Sequence, residues 1–435
     1  MFSGISSLTV FLNQNPELKL LVSTILESDD DFWLVGGCLR NALLDLHQVD
    51  IDIACSGDPT ALSKGWSAEV SGHWFWLDSN RRQSRVVLQD GLTVDFSPLR
   101  APSIIEDLQL RDFTTNALAL PLDNSFPDSK PLDPLGGVHH LLKKQLHSCS
   151  AQSFTDDPLR MLKGIRHAVT LDFELSAETL EQIVSSVNLV VNVAGERIRD
   201  ELAKILNAEK NVKGLELLID TELLGILLGP AGDNWDRQAA MVEIKSLNEK
   251  IQEVGLTTEK EMSDLGKFEQ FSTRAIFIFA RLLEYYAPLN LPTLLHKRLR
   301  LSRYLQRLLE ELQKEPAVEL FTLVETIEGQ RLQALLVEQL NPFAYEKMLF
   351  WGVYANLLTL TRVLEMQKSF TTEQKLGRVP DLLNGRLISS LLNDSPNTQI
   401  GSWQLKLKLA EINGEINNVV QAENWIKSKL LFDNK

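Results

Sequence analysis

Between residue 33 and about residue 120, apolar positions recur alternately with the period of a strand and the period of a helix. Trp33-Leu34-Val35 is a short apolar run that enters Gly36-Gly37, the pattern of a buried strand feeding a tight turn. "CLRNALLDL" follows with helical spacing, and "VDIDIA", 49–54, alternates strictly. Residues two apart on a strand share a face, so Asp50 and Asp52 project side by side while Val49, Ile51 and Ile53 turn the other way. "GHWFWL", 72–77, reads as a further strand. "RVVLQDGLTVDF", 85–96, reads as a hairpin turning at Asp90-Gly91, with Leu92, Val94 and Phe96 on one face and Thr93 and Asp95 on the other.

From about residue 153 the strand pattern gives way to helical ones: "AETLEQIVSSV", "ERIRDELAKILN", "VKGLELLIDTELLGILL", "RAIFIFARLLEYY" and "YEKMLFWGVYANLLTLTRVLEM". Breaks are expected at Gly229-Pro230 and at "APLNLP", 287–292. The aromatics of "WGVYANLLTLTRVLEM" fall at helical spacing and read as core. No fixed-period repeat or low-complexity stretch is present. The pattern predicts an α/β head on a long helical remainder.

Composition adds bounds to this picture. A chain of 435 residues, 44% hydrophobic and 23% charged, suits a globular protein of two to four domains. No apolar run approaches bilayer-spanning length, and the amino end lacks a basic start followed by an apolar stretch, so neither a membrane span nor a signal peptide is expected. Cys38, Cys55 and Cys149 are widely spaced and odd in number, which suits a reducing, cytoplasmic setting and argues against a disulfide framework or a zinc site. His139, His140 and His147 read as a polar loop. The net charge of −14 speaks against nonspecific nucleic-acid binding by the whole chain. Local basic runs remain: Arg160, Lys163 and Arg166, and Lys297, Arg298, Arg300, Arg303 and Arg307 within 294–314; the stretch 242–270 is mixed and acidic.

Two features suggest chemistry. A glycine pair between strand and helix lets backbone approach a ligand, and the helix start favours an anion over which Arg40 can lie. Paired carboxylates on a strand suit hard divalent cations that also hold substrate phosphates, and Asp95 supplies a third on a nearby strand. An isolated Asp-x-Asp is more often a solvated strand face; Gly36-Gly37 and Arg40 just upstream tip the reading toward metal.

"LVGGCLRNALL", "DIDIA", "LRDFTTNALAL", "LDPLGG", "FTDDPLRMLKGIRHA" and "GERIRDEL", in this order, resemble the class II tRNA nucleotidyltransferases and bacterial poly(A) polymerases over residues 32 to about 205. The resemblance implies an α+β nucleotidyltransferase palm, with an antiparallel or mixed sheet and helices, followed by an all-α neck, body and tail. The corresponding bounds are 1–135, 136–210, 211–320 and 321–435. It implies transfer of CMP and AMP from CTP and ATP to a tRNA 3′ end without a nucleic-acid template, with Mg²⁺ as cofactor.

Site roles follow by position. Asp50 and Asp52 match the metal-binding aspartates. Gly36, Gly37, Arg40 and Arg111 match nucleotide contacts, and Asp112 and Asn116 order the fold and sugar contacts. Asp157 and Arg160 match the pair that reads the base edge, and Lys163 and Arg166 stand where the family has two arginines. Glu196 and Arg197 resemble a neck motif supporting that site.

Elementary geometry agrees in part. Aspartate before Pro158 is a good start for a helix, and Asp157 and Arg160 would be neighbours three apart. Cytosine offers an amino donor to a carboxylate and acceptors to an arginine, so side chains can stand in for a template base. Steps of three drift by about 60° around a helix, so Arg160, Lys163 and Arg166 cannot all face one base.

Asn41, Lys163, His167 and His140 depart from the family pattern, and Lys163 keeps charge without the fork geometry of arginine. Between Asp95 and Arg111 stands only "FSPLRAPSIIEDLQL", where CCA-completing members carry a long flexible loop; this points to CC-type addition. In 294–314, Lys297 and Arg300 are expected on one helix side and Arg303 and Arg307 as an i,i+4 pair, against tRNA backbone. A poly(A) polymerase and a catalytically dead RNA-binding relative are the competing readings. Oligomeric state is not legible.

Overall fold

The computed structural model describes residues 3–46, 50–126, 130–232, 235–253, 270–286, 291, 294–316, 318–326, 335–336, 339–340, 342–354, 357–359, 361–363, 381–392 and 397–433. Val49, part of "APLNLP" and part of the acidic 242–270 stretch lie outside them. The chain forms two compact units: residues 1–230 with 298–300, and residues 231–297 with 301–435.

The first unit is built on a six-stranded mixed sheet. Its strands are β1 (Phe32–Val35), β2 (Asp50–Cys55), β3 (His73–Asp78), β4 (Gln83–Val87), β5 (Thr93–Pro98) and β6 (Ala119–Pro121), in the order β3-β4-β5-β2-β1-β6. β2 and β5 run parallel, and the other neighbours are antiparallel. The predicted hairpin forms between β4 and β5, with Gly91 at φ 89° in the turn. The two faces differ as alternation requires. Val94, Phe96 and Ser84 are buried beneath the helix Thr60–Glu69, whose Trp66 meets the Phe96 ring at 6.0 Å and whose Ser63 Oγ accepts from Trp74 Nε1 at 3.0 Å. On the opposite face the helix Ile104–Gln109 packs Ile104 and Leu108 with Val35, Ala54, Ala117 and Ala119. That helix starts in a complete capping box, Ser103 with Glu106.

Helices continue the unit. Leu159–Thr170 is amphipathic and packs on Gly195–Asn207 and Asn211–Asp220. Two glycines fix close approaches: a Cβ on Gly137 would stand 2.1 Å from the Thr114 carbonyl oxygen, and one on Gly164 would stand 2.8 Å from Phe113 Cζ. The predicted helix "VKGLELLIDTELLGILL" is two, Asn211–Asp220 and Leu223–Leu228, divided where Glu222 takes φ 62°. Gly229, at φ 98°, ends the second.

The second unit has helices and no strand among its described residues. Thr273–Tyr285 buries Ile276, Phe277, Ile278 and Phe279. Arg303–Leu312 buries Leu305, Leu308, Leu309 and Leu312. Trp351 is buried, as the core reading of that aromatic stretch expected, and so is Phe350 before it. Gly385–Leu391, Asn397–Ile412 and Val419–Asp433 share a separate core of Ile388, Trp403, Leu407, Ala422 and Ile426. The basic segment 294–314 is not one helix. A π-helical turn, Leu294–Arg298, ends before Arg300 at φ 53°, and Ser302 caps a new helix through the Leu305 amide at 3.3 Å. Lys297 and Arg300 therefore do not share a helix side. Lys297, Arg300, Arg303 and Arg307 are all exposed, with Arg300 in the first unit and the other three in the second.

Candidate active site

Sheet register brings the carboxylates together. Asp52 lies beside Asp95 across the parallel β2–β5 pair, and Asp50 beside Thr93, whose Oγ1 donates to Asp50 Oδ1. Asp50 is exposed and Asp52 half-buried, while Ile51 and Ile53 are buried beneath. Gly36, at φ 74°, follows β1 where Val35 pairs with Asp52. A Cβ there would sit 3.2 Å from Asp52 Oδ2 and 3.2 Å from Arg111 Nη1, so glycine is what lets carboxylate and guanidinium approach the turn. The Asp52 carboxyl is pushed up to about 6, first by burial and next by the Asp95 charge, with Asp50 adding and Arg111 opposing.

This donor set fits a hard divalent cation. The donors are oxygens, the like charges are crowded, and a cation would relieve the repulsion that raises Asp52. Asp95 is differently placed from its two neighbours. Arg85 binds it through two hydrogen bonds, Nε to Oδ1 at 2.6 Å and Nη2 to Oδ2 at 2.8 Å. Its charge is thus matched by a side chain, which leaves Asp50 and Asp52 as the candidate pair for a cation.

Beside the carboxylates opens a cavity of about 860 Å³ lined by Arg81, Gln83, Ser97, Pro98, Leu99, Arg100, Asp107, Leu110, Arg111, Asp112, Asp156, Asp157, Arg160, Lys163 and Arg197. Six cations against four carboxylates suit a polyanion. Asp107, buried in the capped helix, organises two of the cations: its Oδ1 accepts from Arg100 Nε at 3.0 Å and its Oδ2 from Arg111 Nη2 at 3.1 Å. Arg81, Arg100 and Asp107 were missed by the sequence reading. Ser103 followed by Glu106 was the available signal, since it fixes the helix that carries Asp107.

Several expected contacts are arranged differently. Asp157 and Arg160 do not pair. Arg160 is 9% exposed, and it donates to the carbonyls of Leu110 at 2.8 Å, Arg111 at 3.2 Å and Ser153 at 3.3 Å. Its guanidinium thus ties Leu110 and Arg111 to Ser153, and it meets a base only by exchanging those bonds. Asp157 Oδ2 instead accepts from Arg197 Nη2 at 3.1 Å, while Asp157 Oδ1 accepts from the Leu159 amide at 3.2 Å. The helix begins one residue later than read, with Pro158 as its cap. Arg166 faces Glu201, Nε to Oε2 at 2.6 Å, and is absent from the cavity lining, as the drift of threes predicts.

Arg40 and Asn116 support the cavity from behind rather than lining it. Asn41 Oδ1 accepts from Arg40 Nε at 3.1 Å and Nη2 at 2.8 Å, and Asn116 Oδ1 accepts from Arg40 Nη1 at 2.7 Å. Asn41 therefore orients Arg40 as a hydrogen-bonding partner. Asn116 Nδ2 donates on to Asp112 Oδ1 at 3.0 Å. Burial alone would raise Asp112; the Lys163 ammonium and the hydrogen bonds from Asn116 and the Phe113 amide outweigh it and hold the carboxyl at about 2. Neighbouring His167 is pushed well below the usual histidine range, first by burial and then by Arg166 and Arg40. His140 stacks on His147 at 3.9 Å and bonds Thr114 Oγ1 through Nδ1 at 2.9 Å, a packed pair.

Comparison with known proteins follows the same geometry. Residues 32–147 match the family described as the poly(A) polymerase head domain, and residues 172–235 match a probable RNA- and SrmB-binding site of polymerase A. The chain is 32% identical over 407 residues, 92% of each chain, to the CC-adding tRNA nucleotidyltransferase of Geobacter sulfurreducens. It is 32% identical over 221 residues, 47% of this chain and 53% of the other, to the CCA-adding enzyme of Bacillus cytotoxicus. Its fold is similar to that of the CCA-adding enzyme of Thermotoga maritima complexed with tRNA, with a TM-score of 0.66, 22% identity and 98% of both chains covered. With a relative of that identity matched over nearly its whole length, the chain belongs to the tRNA nucleotidyltransferase family.

Proposed function

We propose that the chain transfers CMP from CTP to the 3′ end of tRNA, using Mg²⁺ at Asp50 and Asp52, and stops after two additions. The observation that carries this reading is the Asp50–Asp52 pair facing the Gly36 turn beside an arginine-lined cavity. The RNA hydroxyl gives its proton to solvent and its oxygen bonds to the α-phosphorus, the bond from the α-phosphorus to the α–β bridging oxygen breaks, and pyrophosphate leaves. Bound Mg²⁺ supplies charge neutralisation at the phosphates and favours the deprotonated hydroxyl. Arg100 and Arg111, held by Asp107, bind the triphosphate, and Lys163 adds a point charge. Asp157 accepts the amino group of cytosine. Arg197, already ion-paired to Asp157 at the cavity, supplies the neighbouring donors, and Arg160 fixes the loops that frame them.

The division into palm 1–135, neck 136–210, body 211–320 and tail 321–435 belongs to this reading, as does a cytoplasmic location. Among the described residues no helix is long and apolar enough to cross a membrane. Termination at CC is supported by the short passage from Asp95 to Arg111, which holds the capped helix Ile104–Gln109, and by the likeness to a CC-adding relative over 92% of the chain. The test is incubation with tRNA lacking its last three nucleotides, with CTP and ATP separately and together. Two added residues with CTP, and no third with both, is the expected outcome; a product ending in CCA contradicts it.

A further inference from the structure

The rung of the sheet that holds Asp52 continues outward past Asp95. Val35, Asp52, Asp95, Arg85 and Phe75 stand in register across five strands, and Asp50, Thr93, Val87 and His73 form the next rung. Residues opposite one another on neighbouring strands share a face. The Arg85–Asp95 and Thr93–Asp50 hydrogen bonds and the His73–Phe75 ring contact at 5.7 Å agree with that placement. Phe75 and His73 therefore open on the same side as the catalytic carboxylates. Three strand spacings separate Asp52 from Phe75, about 14 Å.

Among the described residues this half of the face is left open. The helix Thr60–Glu69 packs on β3 and β4 from the other side, with Lys64 Nζ 4.4 Å from the Trp74 ring. The helix Ile104–Gln109 covers Val35 and Ala54 at the far end. His73 is exposed, Phe75 half-buried, and the Arg85 side chain 33% exposed.

We infer that Phe75 and His73 form a stacking platform for the last nucleotides of the RNA being extended. This rests on the transfer reading above. In-line displacement places the attacking hydroxyl opposite the leaving pyrophosphate. The phosphate-binding cavity lies along the strands at Ser97 and Gln83, on one side of the Asp52 rung, and the His73 rung lies on the other. The RNA end thus approaches over the aromatic side. Every base has a π-face, so a platform of this kind accepts any discriminator base and tolerates each newly added cytosine.

The test compares steady-state transfer by the wild type, Phe75→Leu and Phe75→Trp, varying tRNA and CTP separately. Phe75→Leu keeps apolar bulk without an aromatic face, so folding and stacking are read apart. The KM for tRNA is expected to rise about tenfold in Phe75→Leu and to return near the wild-type value in Phe75→Trp, with the KM for CTP unmoved. Fluorescence of a 2-aminopurine at the tRNA 3′ end should be quenched by the wild type and less by Phe75→Leu. An unchanged tRNA KM in Phe75→Leu, or a parallel rise for CTP, overturns the platform alone. Absence of transfer by the wild type overturns the functional reading and the platform with it.

Discussion

Asp52 and Asp112 are carboxylates in one site with opposite displacements, about 6 and about 2, from a common ordinary value of 3.8. Asp52 is buried among like charges, so the fold disfavours its ionised form. In metal-free protein the Asp52 contribution falls as pH rises from about 4 to about 6. Asp52→Asn should therefore raise metal-free stability at pH 8 by about 1–3 kcal/mol while eliminating transfer, which calorimetry and an incorporation assay would check. A destabilised Asn variant would mean that the repulsion is absent. Asp112 behaves inversely. Its depressed carboxyl stabilises the fold fully above about pH 4, and that contribution is lost as pH falls toward 2. Asp112→Asn should flatten the acid limb of stability against pH by about 2 kcal/mol, measured by denaturant titration at pH 2 to 5. Asp50 and Asp52 were legible because strand period alone sets their facing. The work of Arg160 was not, because its partners are the carbonyls of residues 110, 111 and 153 and the hydroxyl of Ser153, and neither a carbonyl nor a lone serine signals such a bond.

Among the elements, period and turn chemistry made the sheet readable and helix interruptions unreadable. Alternation marked β2, β4 and β5, and Asp90-Gly91 marked their turn. Leu299–Ser302 interrupts a segment whose leucines keep helical spacing, and only the left-handed Arg300 and the Ser302 cap reveal the break. The helix Ile104–Gln109 shows how an element positions chemistry. Its capping box orients Asp107 toward two arginines at the cavity. Ser103→Ala should cost about 1 kcal/mol of stability and raise the KM for CTP more than that for tRNA, as separate substrate titrations would show. Equal changes in both constants would remove the assigned link between this cap and the phosphates.

For the whole molecule, a net charge of −14 coexists with RNA binding because basic residues are gathered locally. Arg303 and Arg307 are exposed one turn apart on Arg303–Leu312. If both neutralise phosphates, replacing both by alanine lowers the slope of log affinity against log salt by about 2, measured by tRNA binding from 50 to 200 mM salt. A uniform slope across the variants would move the RNA-contact assignment elsewhere.

The most direct measurement of the central claim is made on Asp50→Ala. Asp50 is exposed at the strand start, so its loss spares the buried core. Radiolabelled CMP incorporation into tRNA lacking its last three nucleotides, in Mg²⁺, is followed alongside tRNA binding by the same preparation. The account predicts incorporation reduced at least a thousandfold with tRNA affinity within about threefold of the wild type, since removing a metal ligand costs several kcal/mol of transition-state stabilisation. Incorporation at the wild-type rate would contradict it.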